Sequence, residues 1–282
     1  MITVVATHGL TTVQDLGRPG WAHLGVPPSG AADPPALRLA NRLVGNEEDA
    51  PALEATLRGP ELRFDADAVV ALAGAPVDAR AGDRELAMHA TEAVRAGETL
   101  RLGTARHGLR TYLAVRGGLD VEPVLGSAAT DLLTGLGPEP LREGTRLRVG
   151  RRLCDWPEAT LAPVGELAPE PVLRVVAGPR EDWFAAGALE ALTTTAWTVS
   201  PSSNRIGVRL QGPALERARA GELASEGMLA GALQVPPAGT PILLLADHPT
   251  TGGYPVIATV VTGDLPRAGQ LRPGDTVRFA RA

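Results

Sequence analysis

The sequence predicts a mainly β protein, a barrel or sandwich with only a few short helices. Three observations carry this reading. Short aliphatic runs recur along the whole chain. Each is bounded by Gly, Pro or Asp, residues that end or reverse a strand. Stretches with helical period number only two, too few for a parallel sheet covered by helices on both faces.

Taken in order, Ile2 to Ala6 opens the chain as a strand. Asp33 then offers a side-chain N-cap, Pro34 and Pro35 suit a first helical turn, and Leu37, Ala40, Leu43 and Val44 form an apolar stripe ended by Gly45-Asn46. Val69 to Ala73, Thr99 to Leu102, Thr111 to Val115 and Arg146 to Val149 follow as strands. Leu173 to Ala177 starts a second set. A helix is expected from Glu181 to Leu192, with Trp183, Phe184, Ala188 and Leu192 at helical spacing. Ile206 to Leu210, Ile242 to Ala246, Val256 to Val261 and Thr276 to Phe279 complete the strands.

Residues 156–171 contain Pro157, Pro163, Pro169 and Pro171 and read as a linker. It divides an N-terminal lobe, 1–155, from a C-terminal lobe, 172–282. Weak self-similarity accompanies the division. "LRGPEL" at Leu57 echoes "LQGPAL" at Leu210, and "ITVVA" at Ile2 echoes "LRVVA" at Leu173. "VRAGETLRL" at Val94, "REGTRLRV" at Arg142 and "LRPGDTVRF" at Leu271 share one pattern, a turn around Gly feeding a strand.

Composition excludes several functions. Aromatic residues make up 3% of the chain, so aliphatic side chains must fill the core. All 27 basic residues are arginine, which rules out a Schiff-base, P-loop or biotinylated lysine on this chain. Net charge is −5 without long like-charge runs, so no nucleic-acid partner is expected. Cys154 is the one cysteine, which leaves no internal disulfide. The five histidines are scattered, and no metal site is expected. Neither a leader nor a membrane span is apparent, so a cytoplasmic location is expected. Dinucleotide, P-loop, zinc-protease and nucleophile-elbow motifs are absent.

Three segments are more polar than connection requires. "TTVQDLGRPGWAHLGVPPSGAAD", from Thr11 to Asp33, reads as a long loop carrying Gln14, Asp15, Arg18, His23 and Ser29. Arg18, between Gly17 and Pro19, either pairs with an acid such as Asp15 or presents its guanidinium to a carboxylate or phosphate. In "SPSSNRIGVRLQGP", Asn204 and Arg205 form either a capped turn or an anion-binding corner. In "SEGMLAGALQVPPAGTPILLLADHPTTGGYP", Glu226, Gln234 and Asp247 flank Thr250, Thr251, Gly252, Gly253 and Tyr254. The glycines permit close backbone approach, and Asp247 could act as acid or base or hold a threonine hydroxyl. A wide, self-bonded hairpin is the alternative.

These segments, with "ALRLANRLVGN", "LEATLRGPELRF", "TTGGYPVIATVVTGDLP" and "LRPGDTVRF", resemble the family of the 5-oxoprolinase C subunit, also called the biotin-dependent carboxyltransferase or allophanate hydrolase subunit 2 family. It includes the antagonist of a sporulation-kinase inhibitor and is similar to part of the carboxyltransferase region of urea carboxylase. The resemblance spans nearly the whole chain in order. It implies two cyclophilin-like β-barrel lobes, partners like the B and A subunits of 5-oxoprolinase, and ATP-dependent hydrolysis of 5-oxo-L-proline to L-glutamate. On that reading Asp247, Glu226 and Arg18 are the expected catalytic residues: Asp247 or Glu226 would act on protons, and Arg18 and Arg205 would hold phosphate or carboxylate charge. Ser29, Asn204, Arg205, Gln234, Thr250, Thr251, Gly252, Gly253 and Tyr254 would bind a small lactam or amide. One alternative is a carboxyltransferase subunit that receives biotin from a partner carrier. Another is a non-catalytic partner of a kinase inhibitor. Members of the family often read Asp-Arg-Gln-Thr-Thr-Gly-Gly-Tyr-Pro-Lys, where this chain has His248, Pro249 and Val256 in place of the arginine, glutamine and lysine.

Overall fold

The computed structural model describes residues 1–221 and 223–282. The chain forms two compact units. The first comprises Met1–Arg18, Asp33–Asp131 and Gly135–Glu166; the second comprises Pro19–Ala32, Leu132–Thr134 and Leu167–Ala282. The passage between the larger parts falls within the proline-rich stretch. Two short earlier segments, placed by position in the N-terminal lobe, belong instead to the second unit, because their polar groups bond to its buried side chains.

The first unit contains two sheets. One runs in the order Arg146–Leu147, Ile2–Ala6, Glu61–Phe64, Thr99–Leu102, Ala79–Ala81 and Arg84–Leu86. The other runs Thr11–Gln14, Ala52–Thr56, Arg110–Val115, Ala68–Gly74 and Thr91–Val94. Val13, Leu53, Leu113 and Leu72 stand opposite one another across four strands and join the hydrophobic core. The neighbouring row, Thr12, Glu54, Tyr112 and Ala73, faces the other way, as the two-residue period of a strand requires.

Helix α1, Pro34–Leu43, covers the strands Arg110–Val115 and Ala68–Gly74 on that second face. It starts as expected. Asp33 accepts a hydrogen bond from the backbone of Ala36 at 3.1 Å, and Ala36, Leu37, Ala40 and Leu43 are buried.

Thr11–Gln14 is a buried strand, not the start of a long loop. A hydrophobic-pattern reading misses it because its polar residues have polar partners. Gln14 donates to the hydroxyl of Thr12 and to the carbonyl of Thr130.

The second unit is a closed barrel. Its strands follow the order Val172–Ala177, Val256–Val260, Ala232–Gln234, Ile242–Leu244, Gly207–Gln211, Trp197–Val199 and Thr276–Arg281. Closure comes from parallel pairing of Val172–Ala177 with Thr276–Arg281, so no barrel edge is left open. A separate aliphatic core, centred on Leu173, Leu233, Leu243, Ile257, Val277 and Trp197, fills it.

The helix expected from Glu181 to Leu192 is interrupted. A 3-10 turn, Glu181–Trp183, precedes α2, Ala188–Thr194. Between them Phe184 is extended and bridges Arg217, while the Ala185 N–H bonds to the Glu216 carbonyl. Pairing with a distant segment thus overrides helical spacing. A third helix, α3 at Leu265–Ala268, is one turn long.

The three repeated glycine turns are built alike. The carbonyls of Arg95, Arg142 and Arg272 each accept from the N–H three residues later at 3.0 Å. Gly97, Gly144 and Gly274 occupy the third position at φ +84°, +83° and +92°, the left-handed region open to glycine. In each turn the side chain of the fourth residue, Glu98, Thr145 or Asp275, accepts from the first residue's own N–H. The "LRGPEL" and "LQGPAL" segments do not correspond in this way. The first leads into Glu61–Phe64, whereas the second begins within Gly207–Gln211. No helix among the described residues is long and apolar enough to cross a membrane.

Candidate functional site

In the second unit, polar side chains converge behind the strand Ile242–Leu244. Asp247 is completely buried. Arg205 holds it with two parallel bonds, Nε to Oδ2 at 2.9 Å and Nη2 to Oδ1 at 3.0 Å. The Ser29 hydroxyl donates to Oδ1 at 2.7 Å and the Leu132 N–H to Oδ2 at 3.2 Å. Arg205 also donates to the Gly30 carbonyl at 2.5 Å. One carboxylate therefore fixes the 19–32 and 132–134 segments against the barrel.

This geometry revises three expected roles. A sealed carboxylate with four donors is not placed to exchange protons with a substrate, so Asp247 is a positioning group. Arg205 spends its charge on Asp247, and Ser29 spends its hydroxyl there. Asn204 caps the adjoining turn, accepting from Ile206 and Gly207 at 2.9 and 3.2 Å. The capped-turn alternative is the one the structure contains.

The run after Asp247 is different in character. Thr251–Gly252 pairs with Glu226–Gly227, and the Met228 N–H bonds to the Thr250 carbonyl at 2.9 Å. Gln234 lies beneath, its amide 3.1 Å from Met228 Sδ and 3.4 Å from the Tyr254 carbonyl. A Cβ on Gly252 would lie 2.5 Å from that amide nitrogen, so a larger residue there would displace the Gln234 side chain. The Gly253 carbonyl accepts from Leu223. Thr251 and Tyr254 are exposed and Thr250 is half-buried, leaving hydroxyl and ring groups on the outside of the loop. Glu226 forms a two-point ion pair with Arg180. That hydrogen bonding holds the Glu226 carboxyl below its ordinary range, so it is charged at neutral pH.

Arg18 belongs to the first unit and is 1% exposed. It donates to the carbonyls of Val124, at 3.2 Å, and Ala129, while its Nη1 has no partner among the described residues. Asp15 is engaged elsewhere. It accepts from Gly17, Ser127 and Ala128 at 2.6–2.7 Å and fastens the same 124–129 turn. The Arg18–Asp15 pairing considered above is thus not made. Its guanidinium is buried and held by carbonyls, and Nη1 is sealed from solvent, so Arg18 is placed to grip the 124–129 turn.

Two features escaped the sequence reading. Glu54, buried among aliphatic neighbours, pairs with Arg110 at 3.3 Å and accepts from the Tyr112 hydroxyl at 2.7 Å. That hydroxyl in turn accepts from the Asp33 N–H at 2.8 Å, tying the start of α1 to the sheet. Burial, reinforced by the Glu54 charge, pushes the Tyr112 phenol well above its ordinary range. The detectable signal was a lone acid inside "PALEATL". The second feature is the burial of the His248 ring, a residue the sequence marked only as a replacement for a frequent arginine.

The same architecture recurs in known proteins. The family described as carboxyltransferase domain, subdomain A and B, matches residues 24–281. The chain is 41% identical over 284 residues to the C subunit of 5-oxoprolinase from Escherichia coli strain K12, covering all of this chain and 91% of that protein. It is 34% identical over 308 residues to the urea amidolyase of Lachancea kluyveri, covering 98% of this chain but 16% of that protein. The crystal structure of the Kluyveromyces lactis urea carboxylase superposes with a TM-score of 0.90 at 32% identity, covering 99% of this chain and 27% of the other.

Proposed function

The chain belongs to the carboxyltransferase-domain family, subdomains A and B, and from that premise we propose that it is a subunit of an ATP-dependent 5-oxoprolinase. The complex would hydrolyse 5-oxo-L-proline to L-glutamate together with two further chains, like the B and A subunits of that enzyme. The observation that carries this is the near full-length similarity, in both directions, to a protein named as the C subunit of 5-oxoprolinase. Similarity confined to one module would not cover 91% of that relative.

In this reading, phosphorylation of the lactam oxygen by ATP makes the ring carbon a better electrophile for water. ADP leaves in that step, ring opening by water yields the γ-acyl phosphate of glutamate, and a second water hydrolyses it to glutamate and phosphate. Arg18 braces the 124–129 turn of the first unit through its bonds to Val124 and Ala129. The Arg205–Asp247–Ser29 cluster keeps the surrounding loops in place, which lowers the ordering cost of binding. Gln234 and Gly252 shape the loop that presents Thr250, Thr251 and Tyr254. Glu226 supplies a fixed negative charge beside it.

The test is reconstitution. The chain, co-purified with its two partner chains, releases glutamate and phosphate from 5-oxo-L-proline only when ATP is present. A complex that forms neither product, beside an active Escherichia coli complex under the same conditions, refutes the proposal.

The similarity to urea amidolyase favours one further reading, a carboxyltransferase half-site accepting biotin from a partner's carrier domain. The absence of lysine fits an acceptor of that kind, because this chain cannot carry biotin itself. Calorimetric titration with biotin, alone and on a carrier, separates the two: no heat in the presence of both partners eliminates it.

A further inference from the structure

We propose that the Nε2 atom of His248 is the proton acceptor for the water that attacks the substrate. This rests on the hydrolytic reading above and assigns a residue to its proton-transfer step.

The geometry defines which nitrogen is available. Nδ1 lies 2.8 Å from the Pro249 carbonyl oxygen, which can only accept, so Nδ1 carries the proton and donates it. Nε2 is left with its lone pair, and no other described residue bonds to it. It also differs from Nε2 of His89, which is unpartnered but sealed from solvent. The backbone on either side is pinned: the Asp247 N–H bonds to the Arg205 carbonyl at 3.1 Å and the His248 N–H to that of Leu245 at 3.3 Å. A ring held this firmly, with 3% of the residue accessible, presents one nitrogen in one direction.

The electrostatics suit a base. Burial pushes the imidazole below its ordinary value, against smaller opposing effects from the Pro249 carbonyl and the Asp247 charge. The ring is therefore neutral at pH 7. The charged group acting on it is Asp247, which stabilises the imidazolium once a proton arrives but is itself tied to Arg205. Other histidines do not combine these properties. His8 pairs with Glu61 at 3.2 Å, and His23 and His107 are exposed.

The step balances without a new reagent. Water gives one proton to Nε2 as its oxygen bonds to the activated lactam carbon. The imidazolium then returns that proton to the ring nitrogen as the C–N bond breaks.

The experiment compares the reconstituted complex with His248→Asn and His248→Gln versions across pH. Asparagine can retain the bond to Pro249 but has no lone pair at the Nε2 position. We expect kcat to fall about 10²- to 10⁴-fold in H248N with KM little changed. The acid limb of the wild-type kcat/KM profile should vanish with it. An H248N complex within about threefold of wild type, with the same acid limb, overturns the proposal. A wild-type complex that makes no glutamate counts against the hydrolytic reading instead. Nitrogen NMR of the unmodified chain then decides the residue, and also serves if H248N fails to fold. A bare Nε2 with protonated Nδ1 at pH 7 supports the assignment, and a protonated Nε2 sinks it.

Discussion

Replacing Asp247 with asparagine isolates the energetic role of the buried cluster. The change keeps the shape and removes one charge. In the native site both carboxylate oxygens accept, Oδ1 from Arg205 and Ser29, Oδ2 from Arg205 and Leu132. An asparagine must put its NH₂ at one of these places. At Oδ2 it would face two fixed donors, Arg205 Nε and the Leu132 N–H. At Oδ1 it faces Arg205 Nη2, while Ser29 can turn to accept, so this orientation wins. The guanidinium, 1% exposed, loses the charge of the carboxylate that it grips with two bonds. Breaking a buried pair in this way costs about 3–5 kcal/mol. For a chain of this size that corresponds to a melting temperature lower by roughly 6–20 °C. Differential scanning calorimetry reads the shift. A second variant, Ser29→Ala, should cost about 1–3 kcal/mol alone but clearly less in the D247N background, because the two share a bond. A D247N chain that melts within about 3 °C of wild type, or strict additivity with S29A, would show that the cluster does not stabilise the unit.

Other outcomes follow from the same reasoning. Tyr112→Phe removes the hydroxyl between Asp33 and Glu54 and should cost about 1–3 kcal/mol in urea unfolding, because a buried carboxylate loses a donor. Gly137→Ala forces a side chain into φ +82° and 2.1 Å from the Ala129 carbonyl, so a loss of more than about 2 kcal/mol is expected by the same measurement. Asp264 is held below the ordinary carboxylate range, first by its hydrogen bonds from Arg174. A lowered folded-state value contributes stability above the unfolded-state range, and that contribution is lost as pH falls through the folded-state value. Asp264→Asn should therefore flatten the acid side of a stability–pH curve while leaving its slope near neutrality unchanged.

Local chemistry made much of the fold readable. The Asp33-Pro34-Pro35 start of α1 depends on neighbours in sequence, and the strands at Ile2–Ala6 and Thr99–Leu102 have clear aliphatic patterns with breakers at both ends. What depended on distant partners was hidden. Thr11–Gln14 looks like a loop until Glu54 and Thr130 are placed beside it. The break at Phe184 appears only once Arg217 and Glu216 pair with that stretch. The site shows the same division. Ser29, Arg205 and Asp247 stood out as too polar for their surroundings, and that was sound. Their mutual bonds, spanning 42 and 218 positions of sequence, could not be read, so residues that anchor loops looked like residues that handle substrate. Arg18 lacked its expected acid because Asp15 already holds the turn that Arg18 also grips.

The 218 positions between Ser29 and its acceptor also set a clock. During synthesis at about 5–20 residues per second, the 19–32 segment emerges roughly 10–45 s before Asp247 exists. Until then its bonding partners, including Arg205, are still unmade or still inside the ribosome. Protease treatment of stalled nascent chains should cut this segment while the strands of the first unit are already protected. The interval is built into the order of the sequence, and it leaves an early piece of the chain waiting for a late one.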